Sequence, residues 1–152
     1  MTYGATITAM LKADTTLMAI LTGDVHDFTK EGRKGVSRVT FIQSFIVNQP
    51  VMKPLCIVYE ADEADTKELG VSNNGFRATK TPIHLWIYDD GNHNYSAIDA
   101  AYARIYTLLQ QSPIVGGYQI YFDRAIKNRR EEILNNAAFY DVLFTVFGYR
   151  TQ

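Results

Sequence analysis

The sequence predicts an α+β domain in which a mixed, mainly antiparallel β-sheet packs against one long helix and a set of N-terminal helices. Three observations carry this. Over residues 96–111, Ile98, Ala101, Tyr102, Ile105, Leu108 and Leu109 fall on one stripe at a 3.6-residue period, the mark of a helix with one buried face. Upstream, Ile83, Leu85 and Ile87 alternate with His84, Trp86 and Tyr88, a two-residue period with large groups on both sides, as in a central strand covered on both faces. In residues 139–149, Tyr140, Val142, Phe144 and Val146 share one face, and Phe139, Asp141, Leu143, Thr145 and Phe147 the other, which predicts a second interior strand.

The remaining elements follow in order. Ile7, Met10 and Leu11 lie at helical spacing within residues 2–13; Asp14 with Leu17, Met18 and Leu21 begins a second turn set that ends at Gly23. These are one broken helix or two short ones. Residues 25–29 read as a short strand, and Lys30, Arg33, Lys34 and Arg38, set around Glu31, Gly32 and Gly35, read as a mobile basic loop. Phe41, Ile42, Phe45, Ile46 and Val47 make residues 39–51 too apolar for water, so this stretch pairs with the sheet or covers a neighbour.

Residues 55–61 form a strand that runs into the acidic stretch Glu60, Asp62, Glu63 and Asp65. Asn74-Gly75 is a tight-turn signal, which predicts a long antiparallel hairpin between residues 55–65 and 76–88. Pro82 has no N–H to donate and belongs at an edge, a bulge or the start of regular pairing. Ser96 is the expected N-cap of the long helix, with Asp99 three residues on, and Pro113 its stop. Gly116-Gly117 gives a corner before a strand at residues 118–126, and the charged stretch 127–136 reads as a turn.

Composition narrows the function. A chain of 152 residues is the size of one domain and buries roughly 70% of its unfolded surface, enough for a core without staples. A hydrophobic fraction of 47% and a charged fraction of 20% are globular values. The formal net charge of −1 supplies no field to gather phosphates, so nucleic acid is not the expected ligand. Cys56 is the single cysteine and sits in an apolar run, so it has no internal disulfide partner and reads as a small core residue. No basic segment precedes a long apolar run, and no run reaches membrane-spanning length; the expectation is a soluble protein made in the cytoplasm, with no membrane partner. The ten Tyr and eight Phe residues serve either an interface or a Tyr-rich core and rim.

Candidate chemistry is sparse. Asp89, Asp90 and His93 precede the long helix and offer metal-ligating groups, but their spacing matches no calcium or zinc motif, and the same residues suit a turn. Ser37, Ser44, Ser72, Ser96 and Ser112 lie in no nucleophile elbow, His26, His84 and His93 are scattered, and the glycines form no phosphate-cradling loop. The expectation is therefore no catalytic residue, no cofactor and no metal. The acidic stretch at residues 60–65 reads as a solvated hairpin flank.

With the order of elements laid out, the chain resembles the tail terminator, or tail completion, proteins of long-tailed bacteriophages. The likeness rests on a helical segment ending Leu21-Thr22-Gly23-Asp24-Val25, a strand ending Trp86-Ile87-Tyr88-Asp89-Asp90, a helix over residues 94–109 and an aromatic-rich strand over residues 141–149, and it covers most of the chain. It implies a non-enzymatic subunit of the virion tail or neck, assembled in the host cytoplasm. Such subunits form a ring, usually a hexamer, on the last disc of the tail tube, stop its growth and present the surface joined by the head-completion or connector protein. DNA passes the lumen without sequence-specific contact. Another neck, head-completion or tube subunit is the alternative; a small ligand-binding or metal-dependent enzyme domain using Asp89, Asp90 and His93 is a second. A closed ring needs two different faces that meet. Lys30, Arg33, Lys34, Arg38, Phe41 and Phe45 are expected to meet Glu60, Asp62, Glu63 and Asp65 of the next subunit.

Overall fold

The structure is a computed structural model and describes residues 3–21, 23–31, 37–45, 54–60, 67–71, 76–88, 95–110, 119–131 and 137–151. Helix α1 (Tyr3–Ala13) buries Ile7 and Leu11, one turn apart on the same face. Asp14 interrupts it. Its carboxylate accepts from the Leu17 amide at 2.8 Å and so caps helix α2 (Thr15–Leu21), which buries Leu17 and Leu21. One side chain thus resolves the opening stretch into two short helices. At Gly23 the backbone passes so close to the end of the sheet that its amide donates to the Pro54 carbonyl at 3.0 Å.

Among the described residues six strands make one mixed sheet. Strand β1 (Val25–Asp27) pairs in parallel with β2 (Leu55–Glu60), and β2 pairs antiparallel with β4 (Phe76–Tyr88). The sheet order is β1-β2-β4-β6-β5, with β5 (Gln119–Glu131) at one edge and β6 (Ala137–Thr151) inside. Along the other side of β4, β2 takes residues 83–88 and β3 (Lys67–Val71) takes residues 77–80. Thr81 and Pro82 have register partners in β6 alone. The residue without an N–H thus falls at the junction of two partner strands, as a sheet interior requires of a proline. The expected hairpin is therefore divided: β2 supplies one half of the pairing, β3 the other, and Asn74-Gly75 lies outside the described residues.

Both β4 and β5 run antiparallel to β6, so they run parallel to each other with β6 between them. Helix α5 (Tyr95–Leu109) makes the crossover. It begins one residue earlier than Ser96, which is exposed inside the first turn and is not the cap; Pro113 lies outside the described residues. Asp99 instead accepts a hydrogen bond from the Tyr140 hydroxyl, which ties α5 to β6. Strand β5 also corrects an expectation. Residues 127–131 are strand, not turn, with bulges between Phe122 and Arg124 and between Ile126 and Arg129. Charged residues fit there because an edge strand faces water on its open side.

Each face of the sheet has its own core. On one, Ile83, Leu85 and Ile87 meet Val142, Phe144 and Val146 beneath Ile7, Leu11, Leu17, Ile98, Ile105 and Leu109 of α1, α2 and α5. Burial of side chains this large stabilises by roughly 1.5–3 kcal/mol each. The opposite face carries a smaller cluster of Phe41, Ile42, Leu55, Ile57, Tyr88, Ala137 and Phe139, covered by helix α4 (Arg38–Phe45). Ser37 starts α4, its hydroxyl accepting from the Thr40 amide at 3.2 Å and its carbonyl from the Phe41 amide at 2.9 Å. The apolar stretch after the basic residues therefore covers its own sheet, at least through its helical part. Between β1 and α4, the short helix α3 (Phe28–Glu31) continues directly from β1. Among the described residues no helix is long and apolar enough to cross a membrane.

Candidate interaction surface

The face of the sheet turned away from α1, α2 and α5 is laid out in cross-strand rows. One row runs His26, Ile57, Trp86, Asp141 and Ile126; the next runs Tyr59, His84, Leu143 and Arg124. Helix α4 covers one end. Its Phe41 packs edge-on against Phe28 at 5.0 Å and against His26 at 6.2 Å. Arg38 reaches over the sheet with its guanidinium 4.9 Å from the Trp86 ring centre and 4.8 Å from that of Phe139. Beyond this clamp the face opens to solvent, and Ile126 and Phe147 are 46% and 39% exposed.

An ordered aromatic and charged band borders the clamp. Trp86 stacks on His84 at 5.5 Å and on Tyr59 at 6.0 Å. Asp141, opposite Trp86 in β6, has the His84 imidazole 3.6 Å from one oxygen and the Arg129 guanidinium 3.4 Å from the other. At 3.6 Å the first contact is a close approach and not a well-formed hydrogen bond. His84 is the main cause holding the Asp141 carboxyl below its ordinary range, with Arg129 and Arg38 adding and partial burial opposing. The band is half-buried, polar at its rim and aromatic at its centre, the composition that protein contacts favour. Among the described residues no group of three or more His, Cys, Asp or Glu is placed to hold a metal ion, and the Asp89, Asp90 and His93 corner lies outside them.

The residues expected at a subunit interface divide three ways. Lys30 is exposed near the end of α3, and Arg38 is the half-buried clamp. Arg33, Lys34, Asp62, Glu63 and Asp65 lie outside the described residues, as does the side chain of Phe45. Phe41 and Glu60 are both buried at 8% exposure inside the subunit. Phe41 was expected to offer exposed apolar surface, yet α4 turns it onto the sheet. Glu60 was expected in a solvated flank; alternation with Cys56 and Val58 instead turns it under α1, where its carboxylate accepts from the Gly4 amide at 2.8 Å. Burial pushes the Glu60 carboxyl up, the Gly4 amide opposes this, and the nearby charge of Asp27 adds to it.

Sequence reasoning missed the Arg38 clamp and the role of Asp141. A signal for the second was present: an Asp in an otherwise aromatic and aliphatic strand, opposite Trp86, asks for cationic partners.

No family model and no curated protein matches the sequence. Solved structures do match in fold. A chain in the virion of a native gene transfer agent particle superposes over 97% of this chain and 95% of its own length, with a TM-score of 0.63 at 17% identity. The fold is shared. At that identity the likeness speaks to the arrangement of elements from end to end, not to individual side chains.

Proposed function

We propose that this chain is a non-enzymatic structural subunit of a phage-like virion, and specifically a tail terminator. In this reading copies assemble into a ring, a hexamer, on the end of the tail tube, stop its elongation, and present the surface on which a head-completion or connector protein joins. The protein then resides in the tail or neck of the virion and is assembled in the host cytoplasm. The observation that carries the reading is the two-way coverage of the fold match to a virion chain, 97% of one and 95% of the other, which leaves little of either chain outside the common arrangement. The order of elements that resembles terminators supports it. The open end of the outer sheet face, with Ile126 and Phe147 exposed, supplies surface for contacts between subunits or with the tube. In the same reading Lys30, Arg33 and Lys34 meet Asp62, Glu63 and Asp65 of a neighbouring copy, while Arg38, Phe41 and Glu60 pack within the subunit.

The test is mass by light scattering over a concentration series, alone and with purified tail-tube protein, followed by negative-stain imaging. Rings, or discs seated on tube ends with tubes of fixed length, are the expected result. A chain that stays monomeric and ignores tubes overturns the terminator reading. A chain that seats on a head connector and not on tubes favours the alternative, a head-completion subunit, which the likeness to a virion chain supports as well.

A further inference from the structure

Strand β5 is 13 residues long and among the described strands has one partner, β6, so its other edge carries a row of N–H and C=O groups that a further strand can complete. What surrounds that edge is not neutral. Over residues 123–130 the sequence holds Arg124, Lys127, Arg129 and Arg130 against the single acid Asp123, in a chain whose formal net charge is −1. Lys127 lies over the Tyr102 and Tyr140 rings at 4.9 and 5.8 Å, on the face that α5 covers, and Arg130 is also engaged within the subunit. The other two arginines stand on the opposite face, in one row with Ile126. Register with β6 sets this row: Arg124 lies opposite Leu143, Ile126 opposite Asp141 and Arg129 opposite Phe139. The extra residue of the second bulge therefore leaves the three side chains facing alternate positions of the neighbouring strand. Ile126 is 46% exposed. Arg124 is exposed and makes no ion pair among the described residues, and Arg129 keeps half of its side chain in water while reaching Asp141.

We infer that β5 binds an extended segment of a partner protein as an added strand, and that this segment presents an acid, an apolar residue and an acid at alternate positions. Directly opposite residues of neighbouring strands share a face, so the row of Arg124, Ile126 and Arg129 sets the side chains it meets. Backbone pairing supplies the affinity and the row the selectivity. A second β5 is the wrong occupant, since it would set cations against cations. Nucleic acid also fits less well, because its sugar-phosphate backbone has no N–H and C=O ladder to complete the edge. Charge on an edge strand has another use, which is to keep the edge from pairing at all. That role predicts no ligand of either sign, whereas the exposed Ile126 between the two arginines weakens a barrier and gives an incoming strand apolar surface to cover. The occupant is a strand of another protein, so the site stands whether or not copies of this chain form rings.

The test uses the full chain and a short acetylated peptide that alternates threonine with glutamate, valine and glutamate. Binding is read by titration calorimetry and by hydrogen exchange. The peptide is expected to bind and to slow exchange at amides of β5 while leaving those of β3 unchanged. Replacing both glutamates by lysine is expected to weaken binding about tenfold or more. Arg124→Glu should do the same to the glutamate peptide and leave the melting temperature within a few degrees, because Arg124 makes no ion pair among the described residues. A peptide N-methylated at every residue keeps the side chains but cannot donate to the edge, and should not bind. Failure of the glutamate peptide to bind overturns the inference, as does equal binding by the lysine or N-methylated peptide. Unaltered affinity in Arg124→Glu overturns it too, as do β5 amides that exchange equally fast with and without peptide. Tighter binding of an oligothymidylate of similar length, lost in Arg124→Glu, would assign the row to a polyanion and likewise overturn it.

Discussion

Arg104 of α5 holds Asp14 through two hydrogen bonds, Nε to Oδ2 at 2.9 Å and Nη2 to Oδ1 at 2.7 Å, across 90 residues of sequence. The same Asp14 carboxylate caps α2, so one group fixes where α1 stops, where α2 starts and how both lie on α5. Arg104 holds the Asp14 carboxyl down at about 2, against an ordinary 3.8, with the Leu17 amide helping. A depressed carboxyl contributes stability that is complete above its unfolded value and is lost as pH falls through the folded one. Asp14→Asn is therefore expected to lower the melting temperature at pH 7, and the gap between variant and parent to close between pH 4 and 2. Thermal melts across that range check it; a gap that persists at pH 2 assigns the effect to capping alone.

Glu60 carries the opposite sign. Its carboxyl is pushed up by burial, so the fold favours the protonated form: stability from this group is highest at low pH and falls as pH rises from the ordinary value of 4.5 through the folded one. Glu60→Gln keeps an acceptor for the Gly4 amide and removes the buried charge beside Asp27. The variant should melt higher than the parent at pH 7 and lose that advantage near pH 4. Lower stability at both values would show that the ionised carboxylate is itself the anchor of α1.

Two glycines predict different outcomes for the same substitution. A Cβ at Gly23 would sit 2.6 Å from the Pro54 carbonyl oxygen, a backbone atom that cannot step aside. Gly23→Ala is expected to cost about 1–3 kcal/mol in denaturant unfolding, as overpacking does. At Gly4 the nearest neighbour is the Glu60 side chain, Cβ at 3.3 Å, and alanine gains about 1 kcal/mol of helix propensity. Gly4→Ala should come out near neutral.

Trp86 is the only tryptophan in the sequence, so its emission reports on α4 directly. Removing the guanidinium that covers it, in Arg38→Ala, is expected to shift the emission to longer wavelength and to destabilise by about 0.5–2 kcal/mol. Arg38→Lys should recover only part of this, because an ammonium does not lie flat between the Trp86 and Phe139 rings. Unchanged emission in both variants would mean that α4 stays seated through Phe41 and Ile42 alone.

The parts of the fold that could be read from sequence are those in which one force acted undiluted. The stripe in α5 and the alternations in β4 and β6 come from burial on a regular backbone, and Ile98, Ile105, Ile83, Leu85, Val142 and Phe144 are all fully buried. What was left open or misread had two forces in opposition. In α4, Val39, Thr40 and Ile42 favour strand, while the Ser37 cap and packing on Leu55, Ile57 and Phe139 impose helix. In β5, Lys127, Arg129 and Arg130 read as turn chemistry, but an edge strand tolerates charge. Glu60 looked solvated from its acidic neighbours; counting by twos from Cys56 placed it inward. The Arg38 clamp and the Asp141 band join α4, β4, β5 and β6, and no local pattern announces a meeting of that many segments.

The position of β6 also sets an order of events during synthesis. Strand β5 leaves the ribosome before β6, yet among the described strands its one partner is β6, and β4 lies on β6's far side. A nascent chain that has reached Glu131 therefore holds β4 paired on one side with β2 and β3 and open on the other, and β5 still waiting for residues 137–151 to arrive and slide between them. Folding of the sheet is held back to that late insertion. Until then the open sides of β4 and β5 expose unpaired backbone, which makes prompt arrival of the inserting strand a guard against premature association.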